Sequence, residues 1–273
     1  MDDSLLLALV VGVLQGVFEW LPISSEGQIS LYLSVVEGLP AKAATQFSLV
    51  LHAGTAVSAL VYYRGEVRDV LARIPEWRPA TAFERTPELT FLVVATLVSA
   101  LSGAVAYTVL DELVSALTGG AFVALVGALL VGTGVLQRVA TGALGTRETP
   151  TAGDALLVGV LQGLAVLPGV SRSGTTAGAL LLRGHDGPSS FRLSFLLSIP
   201  AAAGAGVLVL LSEGLPALTP TATAVALATS AVVGYLTIDA LMRVVERVAF
   251  WGVCIALGAL ALLGGLLLVL GGA

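Results

Sequence analysis

Charge is the scarcest property of this sequence. Only 11% of its 273 residues are Asp, Glu, Lys or Arg, and 56% are hydrophobic, whereas a soluble domain carries roughly 25% charged residues. A chain of this length could not bury so much apolar surface in water, which excludes a soluble globular protein. Its natural solvent is lipid, and we expect a single all-α integral membrane domain over residues 1–273.

Cysteine and basic residues are also sparse. The one cysteine, Cys254, lies in an apolar run; it cannot form an internal disulfide, and we expect a buried structural side chain. The formal net charge of −5 leaves no basic surface for nucleic acid. The first residues, Met1-Asp2-Asp3, are acidic where a signal peptide would be basic, so we treat the N-terminal apolar run as part of the fold.

Long apolar runs predict six membrane-spanning helices, each near the ~20 residues that cross the hydrocarbon. They cover residues 43–63, 89–110, 119–137, 193–211, 219–240 and 249–271. Two shorter apolar segments each run into a Pro/Gly/Ser loop and resume as a second short piece: 5–20 with 29–36, and 155–167 with 175–182. Because proline disrupts a helix interior, we expect two broken, re-entrant hairpins.

The two hairpins resemble each other. GVLQG at residues 12–16 recurs at 159–163, and Leu21-Pro22 matches Leu167-Pro168. We therefore expect two repeats, 1–140 and 150–273, each a re-entrant hairpin plus three transmembrane helices. An odd number of crossings per repeat predicts inverted topology, with the functional site where the hairpins meet near the midplane. The GVLQG glycines have the spacing of closely packed membrane helices.

Arginine distribution predicts the orientation. Loops 64–88, 138–153, 183–192 and 241–248 contain arginine, whereas loops 111–118 and 212–218 contain no Lys or Arg. The positive-inside rule places the first group in the cytoplasm. Both chain termini are then expected outside a multi-pass plasma-membrane protein.

Three ionisable residues in or beside these apolar segments are candidates for function: Glu19, His52 and Arg172. Gln15 lies four residues before Glu19 and shares its helix face. Ser24 and Ser25 follow in the first break. The second break surrounds Arg172 with hydroxyls, those of Ser171, Ser173, Thr175 and Thr176.

An arginine with several hydroxyls suits a phosphate group, and a helix starting after Gly174 would add its positive end. A carboxylate, a hydroxyl nucleophile and a phosphate clamp together suggest phosphoryl transfer. Weaker interpretations stay open. Glu19 and Arg172 could be a structural ion pair, and Ser24 and Thr175 could bond only to the backbone. We expect Glu26 to be solvated at the outer mouth and His185 in a cytoplasmic loop.

Three segments resemble the undecaprenyl-pyrophosphate phosphatases of the bacitracin-resistance type: QGVFEWLPISSEGQ (15–28), LPGVSRSGTT (167–176) and FRLSFLLSIP (191–200). The resemblance implies removal of the terminal phosphate from a polyprenyl diphosphate at the outer side of the membrane, which regenerates the monophosphate carrier lipid. It implies Ser25 as nucleophile, an acidic or metal-linked pair in Gln15 and Glu19, and a divalent cation, Mg²⁺ or Ca²⁺. Phosphate-binding residues would be Ser24, Ser171, Arg172, Ser173 and Thr176. A homodimer is a further candidate assembly.

One position departs from the family pattern. The first motif ends in histidine in the family, but this chain has Gln28, which cannot exchange a proton. In FSLVLHAGT (47–55) the family commonly has glutamine where this chain has His52. We hypothesise that His52 faces the same cavity and takes over the catalytic proton. The alternative is a histidine satisfied between helices.

Two other function classes stay open at this stage. Inverted repeats with broken helices are also transporter architecture, so a polyprenyl-phosphate transporter or flippase is one alternative. The loss of the motif histidine at Gln28 allows a catalytically impaired protein that only binds lipid phosphate. The density of the two motifs favours the phosphatase.

Overall fold

A computed structural model describes residues 3–117, 119–143, 145–213, 219–245 and 247–271. The described residues are almost entirely helical, and their only β feature is an isolated bridge between Arg147 and His185. The helices are α1 (Asp3–Phe18), α2 (Ser25–Leu31), α3 (Ala41–Tyr62), α4 (Arg64–Ala72), α5 (Ala82–Arg85), α6 (Pro87–Ala116), α7 (Gly119–Ala140), α8 (Ala152–Leu164), α9 (Arg172–Leu182), α10 (Gly187–Glu213), α11 (Pro220–Val245) and α12 (Phe250–Leu270).

The six predicted spans are confirmed as helices. Within the described residues α3, α6, α7, α10, α11 and α12 are long and apolar enough to cross a membrane. Several extend beyond the predicted ends; α6, for example, continues to Ala116 because no helix-breaking residue follows Leu110 within it. An all-α integral membrane protein is therefore the fold class.

The two predicted breaks are confirmed as well. Helix α1 ends at Phe18 and α2 begins at Ser25, and α2 continues as a π-helical turn over Tyr32–Val36. Helix α8 ends at Leu164, and α9 resumes after the Pro168-Gly169 turn. The expected start of α9 after Gly174 is wrong. The side chain of Ser171 accepts a hydrogen bond from the N–H of Gly174 and caps a helix that begins at Arg172.

Glycines bring both hairpins close to the spans. A Cβ at Gly16 of α1 would lie 2.7 Å from the backbone nitrogen of Gly234 on α11, and one at Gly163 of α8 would lie 2.6 Å from that of Gly103 on α6. The close packing expected of both GVLQG segments is thus confirmed. Helix α1 packs on α11 and α8 on α6, a reciprocal pairing that two equivalent halves would produce. The inverted orientation and the repeat boundaries stay predictions.

A buried carboxylate ties the start of α8 to the end of α9. Asp154 accepts hydrogen bonds from Arg147 and Arg183 at 2.9 and 2.8 Å and lies 3.2 Å from Nε2 of His185. His185 is fully buried, so the expectation that it is solvated is wrong. Its backbone N–H donates to the carbonyl oxygen of Leu180 at 3.0 Å.

Part of the predicted topology lies outside the described residues. Residues 214–218, in the loop 212–218 that is expected outside the membrane, are not among those described. The same holds for the terminal residues 1–2 and 272–273, which are also expected outside. The orientation of the chain in the membrane stays a prediction.

Candidate active site

The tips of the two hairpins contact each other directly. Ser24 has a left-handed backbone, with φ at 61°, and its Oγ accepts hydrogen bonds from the N–H of Gly27 at 3.2 Å and of Gly169 at 3.0 Å. Gly169 itself has φ at 104°, and a Cβ at Gly27 would come within 2.8 Å of its nitrogen. Ser24 therefore joins the two loops. Its bonds to backbone N–H groups agree with the alternative in which Ser24 bonds to the backbone.

Glu19 is the centre of the polar cluster. Its Oε1 accepts a hydrogen bond from Arg172 at 2.7 Å. Its Oε2 accepts from Oγ of Ser25 at 2.9 Å and from Nε2 of Gln15 at 3.0 Å. The carboxylate is buried with only 6% of Glu19 exposed, so its charge depends on these partners. One carboxylate thus joins the first hairpin to the second.

His52 joins the same cluster from α3. Its Nδ1 lies 2.8 Å from the carbonyl oxygen of Ser48, an arrangement that places the proton on Nδ1, because a carbonyl can only accept. Its Nε2 lies 3.3 Å from Oε2 of Glu19 and 3.5 Å from Oγ of Ser25. The ring therefore presents Nε2 to the serine hydroxyl, as the proton-transfer hypothesis requires.

Arg172 is held in place from three sides. One terminal nitrogen donates to Glu19, the other donates to the carbonyl of Ser194 at 3.3 Å, and the guanidinium lies 5.9 Å above the ring of Phe195. Guanidinium carries five N–H donors, so donors are left for a bound anion.

Two cavities meet at this cluster. A narrow polar pocket of about 20 Å³ is lined by both loops. An apolar slot of about 230 Å³ runs from it between α6, α8 and α10, and small residues such as Gly103, Ala201 and Gly204 line it. The residues shared by both cavities are Glu26, His52, Ala165 and Arg172.

The predicted site residues divide into two groups. Those lining the polar pocket are Glu19, Ser24, Ser25, His52, Ser171, Arg172 and Ser173. Three others do not line it. Gln15 supports Glu19 from behind, Gln28 donates to the carbonyl of Ile23, and Oγ1 of Thr176 is engaged by the carbonyl of Arg172 and by Ser194. Thr175 bonds to the carbonyls of Ser171 and Arg172, as its structural interpretation expects.

Glu26 is the pocket residue that the sequence interpretation misplaced. Instead of being solvated at the mouth, it is only 3% exposed and lines both cavities. It lies in the first turn of α2, which folds inward against α3. One feature of the sequence could have indicated this burial. Glu26 lies in the break between two apolar segments, and an ionisable residue placed within the membrane is costly.

The chain by itself does not supply a complete cation site at Gln15 and Glu19. Among the described residues no group of three or more His, Cys, Asp or Glu could hold a metal ion. Both carboxylate oxygens of Glu19 already accept hydrogen bonds from Arg172, Ser25 and Gln15. A divalent cation stays a prediction.

The chain is similar over nearly its whole length to proteins of one family. The chain matches the family model for the bacitracin resistance protein BacA over residues 8–261. An undecaprenyl-diphosphatase of Haloarcula marismortui is 57% identical over 269 residues, which cover 98% of this chain and all of the relative. Proteins of the same name from Methanopyrus kandleri and Methanococcoides burtonii are 41% and 38% identical, over 96% and 95% of this chain and 96% and 98% of their own lengths.

Proposed function

The chain belongs to the bacitracin resistance protein BacA family, and from this premise we propose that it is an undecaprenyl-diphosphatase, a membrane hydrolase that releases the terminal phosphate of undecaprenyl diphosphate. The relatives that cover nearly the whole chain carry this name. One observation carries the chemistry: the hydroxyl of Ser25 lies between a carboxylate and an imidazole, beside a guanidinium from the other hairpin.

Ser25 is the proposed nucleophile. Its hydroxyl donates to Glu19 at rest and turns toward Nε2 of His52 for the reaction. Its Oγ then attacks the terminal phosphorus as the proton passes to that nitrogen. The 3.5 Å separation is long for a hydrogen bond, but such contacts are often loose before substrate binds. Glu19, 3.3 Å from the same nitrogen, stabilises the imidazolium that forms.

Arg172 is the proposed phosphate clamp. The guanidinium faces the pocket that Ser25 also lines, so it can donate to the equatorial oxygens of the phosphate under attack. Ser173 lines the same pocket and is a further phosphate contact. Ser24 and Ser171 accept hydrogen bonds from backbone N–H groups, which fixes the shape of the two loops. A hydroxyl can accept and donate at once, so both remain proposed phosphate contacts in the pocket that they line.

Hydrolysis then completes the cycle. The lipid monophosphate leaves, and His52 releases the proton taken from Ser25 to solvent. Water then attacks the phosphoserine while the bond between phosphorus and Oγ breaks, and His52 takes a proton from the attacking water and gives it to the departing Oγ of Ser25 as inorganic phosphate is released. His52 therefore fills the role that Gln28 cannot, which argues against a catalytically impaired protein. A transporter is not favoured, because the relatives are named for the phosphatase activity.

The prenyl chain has an obvious place in this arrangement. The apolar slot begins at the residues that close the polar pocket and is lined by small side chains of α6 and α10. With the terminal phosphate against Ser25 and Arg172, the hydrocarbon extends into the slot, where apolar burial favours binding.

The decisive assay is release of inorganic phosphate from C55 and C15 diphosphates by the purified protein. We expect turnover with both, loss of turnover in Ser25→Ala, and a covalent phosphoserine at Ser25 under rapid quenching. Parallel reactions with and without chelator test the predicted divalent cation. Binding of the diphosphate without phosphate release by the wild type would contradict the enzyme.

Sidedness and assembly are part of the proposal. We expect the site to open at the outer face of the plasma membrane, both termini to lie outside, and a homodimer to be the candidate assembly. The arginine-rich loop 64–88 supports this orientation. Because the single natural cysteine, Cys254, is buried, cysteines introduced one at a time near the termini can be labelled selectively with an impermeant reagent in intact cells.

A further inference from the structure

Glu26 is a buried carboxyl that the reaction described above leaves without a role. Only 3% of the residue is exposed, and its Oε1 is buried without a hydrogen-bond partner among the described residues. It lines the polar pocket and the apolar slot at once. A buried polar group without a partner is costly, so its presence here needs an explanation.

The charges around Glu26 favour a neutral carboxyl. The other charged or titratable residues lining the two cavities, among the described residues, are Glu19, His52 and Arg172. Arg172 is already paired with Glu19 at 2.7 Å. A second carboxylate without a cation of its own would be an isolated buried charge, which is strongly unfavourable. A neutral carboxyl also avoids repulsion with the incoming diphosphate.

The position of Glu26 matches one atom of the bound substrate. The terminal phosphate lies against Ser25 and Arg172 in the polar pocket, and the hydrocarbon lies in the slot. The oxygen that bridges the two phosphates must then lie at the boundary between the cavities, which Glu26 lines. This placement rests on the proposed function.

We propose that Glu26 is the catalytic acid that protonates the leaving lipid phosphate. As the bond between Ser25 Oγ and the terminal phosphorus forms, the bond from that phosphorus to the bridging oxygen breaks. The bridging oxygen keeps the electron pair and takes the proton from the Glu26 carboxyl. The lipid monophosphate departs, and the Glu26 carboxylate regains a proton from solvent after the products leave.

Two residues then divide the proton transfers of the first step. His52 removes the proton of Ser25, which it can reach because its Nε2 faces that hydroxyl. Glu26 supplies a proton on the leaving-group side. The pairing of a base and an acid whose environments differ is a common way to run both transfers at one pH.

The test measures kcat and KM for a C15 diphosphate from about pH 5 to about pH 9. For Glu26→Gln, which keeps the shape, we expect kcat to fall about 100-fold with KM within about threefold of the wild type. The wild-type kcat should decline at alkaline pH, where Glu26 loses its proton, and that decline should be absent from Glu26→Gln. Glu26→Asp keeps the acid and should retain both partial activity and the alkaline decline.

Glu37→Gln is the matched control, because Glu37 follows on the same hairpin but is exposed, and its carboxylate accepts a hydrogen bond from the hydroxyl of Tyr32 outside the site. Its profile should equal that of the wild type. Thermal unfolding in detergent verifies that all variants fold. The proposal is overturned if Glu26→Gln keeps kcat and the alkaline decline. Recovery of Glu26→Gln by excess Mg²⁺ would also overturn it, because Glu26 would then bind a cation.

The two proposals fail in different ways. A wild type that binds the diphosphate but releases no phosphate at any pH refutes the phosphatase, and the acid role with it. An active wild type with an equally active Glu26→Gln refutes only the acid.

Discussion

A terminal nitrogen of Arg172 lies 2.7 Å from Oε1 of Glu19, although 153 residues separate the two in sequence. Both side chains are largely buried, with 13% and 4% exposed. The ion pair joins the broken segment of one hairpin to that of the other, so the site exists only when both hairpins dock. Its removal should therefore affect stability as well as catalysis.

Removal of one partner of this pair should cost more than removal of both. Arg172→Met leaves a buried, uncompensated carboxylate and should lower the free energy of unfolding by about 3–5 kcal/mol. The double variant Glu19→Gln/Arg172→Met should recover most of that loss while remaining inactive. Denaturant unfolding in detergent measures both.

Arg192→Met is the control, because its pairs with Glu66 and Glu88 are exposed and should be worth about 1 kcal/mol or less. Equal losses in the single and double variants would argue against a coupled pair.

His52→Ala should lower kcat by at least about 100-fold, because no other imidazole lines the pocket among the described residues. Its KM should change little, since the ring is not the proposed phosphate clamp. Steady-state phosphate release with a C15 diphosphate checks this. Val57→Ala on the lipid-exposed side of the same helix is the control. Undiminished turnover in His52→Ala would remove the proton role and leave a histidine satisfied between helices.

Ser25→Ala should abolish phosphate release and the phosphoserine intermediate together. The structural reason is that Ser25 is the hydroxyl in contact with both Glu19 and His52. Rapid quenching followed by peptide mass spectrometry detects the intermediate in the wild type. Ser34→Ala, on the same hairpin but bonded to the carbonyl of Leu39, should behave as the wild type. A phosphorylated peptide that persists in Ser25→Ala would place the nucleophile elsewhere.

Gly204→Phe should obstruct the apolar slot. Gly204 lines it, and a Cβ there meets no atom within 4 Å, so the added ring can be accommodated without distorting the helix. We expect KM for the C55 diphosphate to rise about tenfold, which corresponds to about 1.4 kcal/mol, and the hydrolysis of a C5 diphosphate to be unchanged. Gly132→Phe on α7, which also faces open space, is the control. Equal KM changes for the long and short substrates would contradict a prenyl slot.

Asp154, in the first turn of α8 and outside the six spans, should make stability depend on pH. Burial alone would raise the pKa of its carboxyl, but hydrogen bonds from Arg183 and Thr151 outweigh burial and hold that pKa well below its usual range. The contribution to stability is therefore complete above the ordinary pKa of aspartate, about 4, and is lost as the pH falls below it. Asp154→Asn should lower stability at pH 7 and flatten the change below about pH 5. An unaltered pH dependence would show that other carboxyl groups dominate.

Much of the architecture could be predicted from local sequence. Six apolar runs became six helices, and the two Pro/Gly/Ser breaks became the two places where helices stop and resume. These features depend on hydrophobic length and on the backbone limits of proline, which act within a few residues. The clustering of Glu19, Ser25 and Arg172 was also predicted, because two similar loops suggested one shared site.

The errors have a common physical origin. Glu26 and His185 are titratable residues in polar segments that the sequence suggests are exposed to solvent, yet both are buried. Gln28 and Thr176 lie in the motifs but bond to neighbouring groups and do not line the polar pocket. A short helix turns each side chain by about 100° from the last, so a motif shows which residues are close and leaves undetermined which of them face the cavity.

The sequence alone determined that this protein lies in the lipid bilayer, how many spans it has and where the two hairpins break. The reason is that apolar length and backbone sterics are local properties. Only the tertiary structure decided that His52 from a separate helix completes the Ser25 site, that Glu26 lies at the boundary of two cavities, and that an apolar slot begins there. Those relationships arise from the docking of hairpins and helices far apart in the chain, and no local pattern encodes the distances between them.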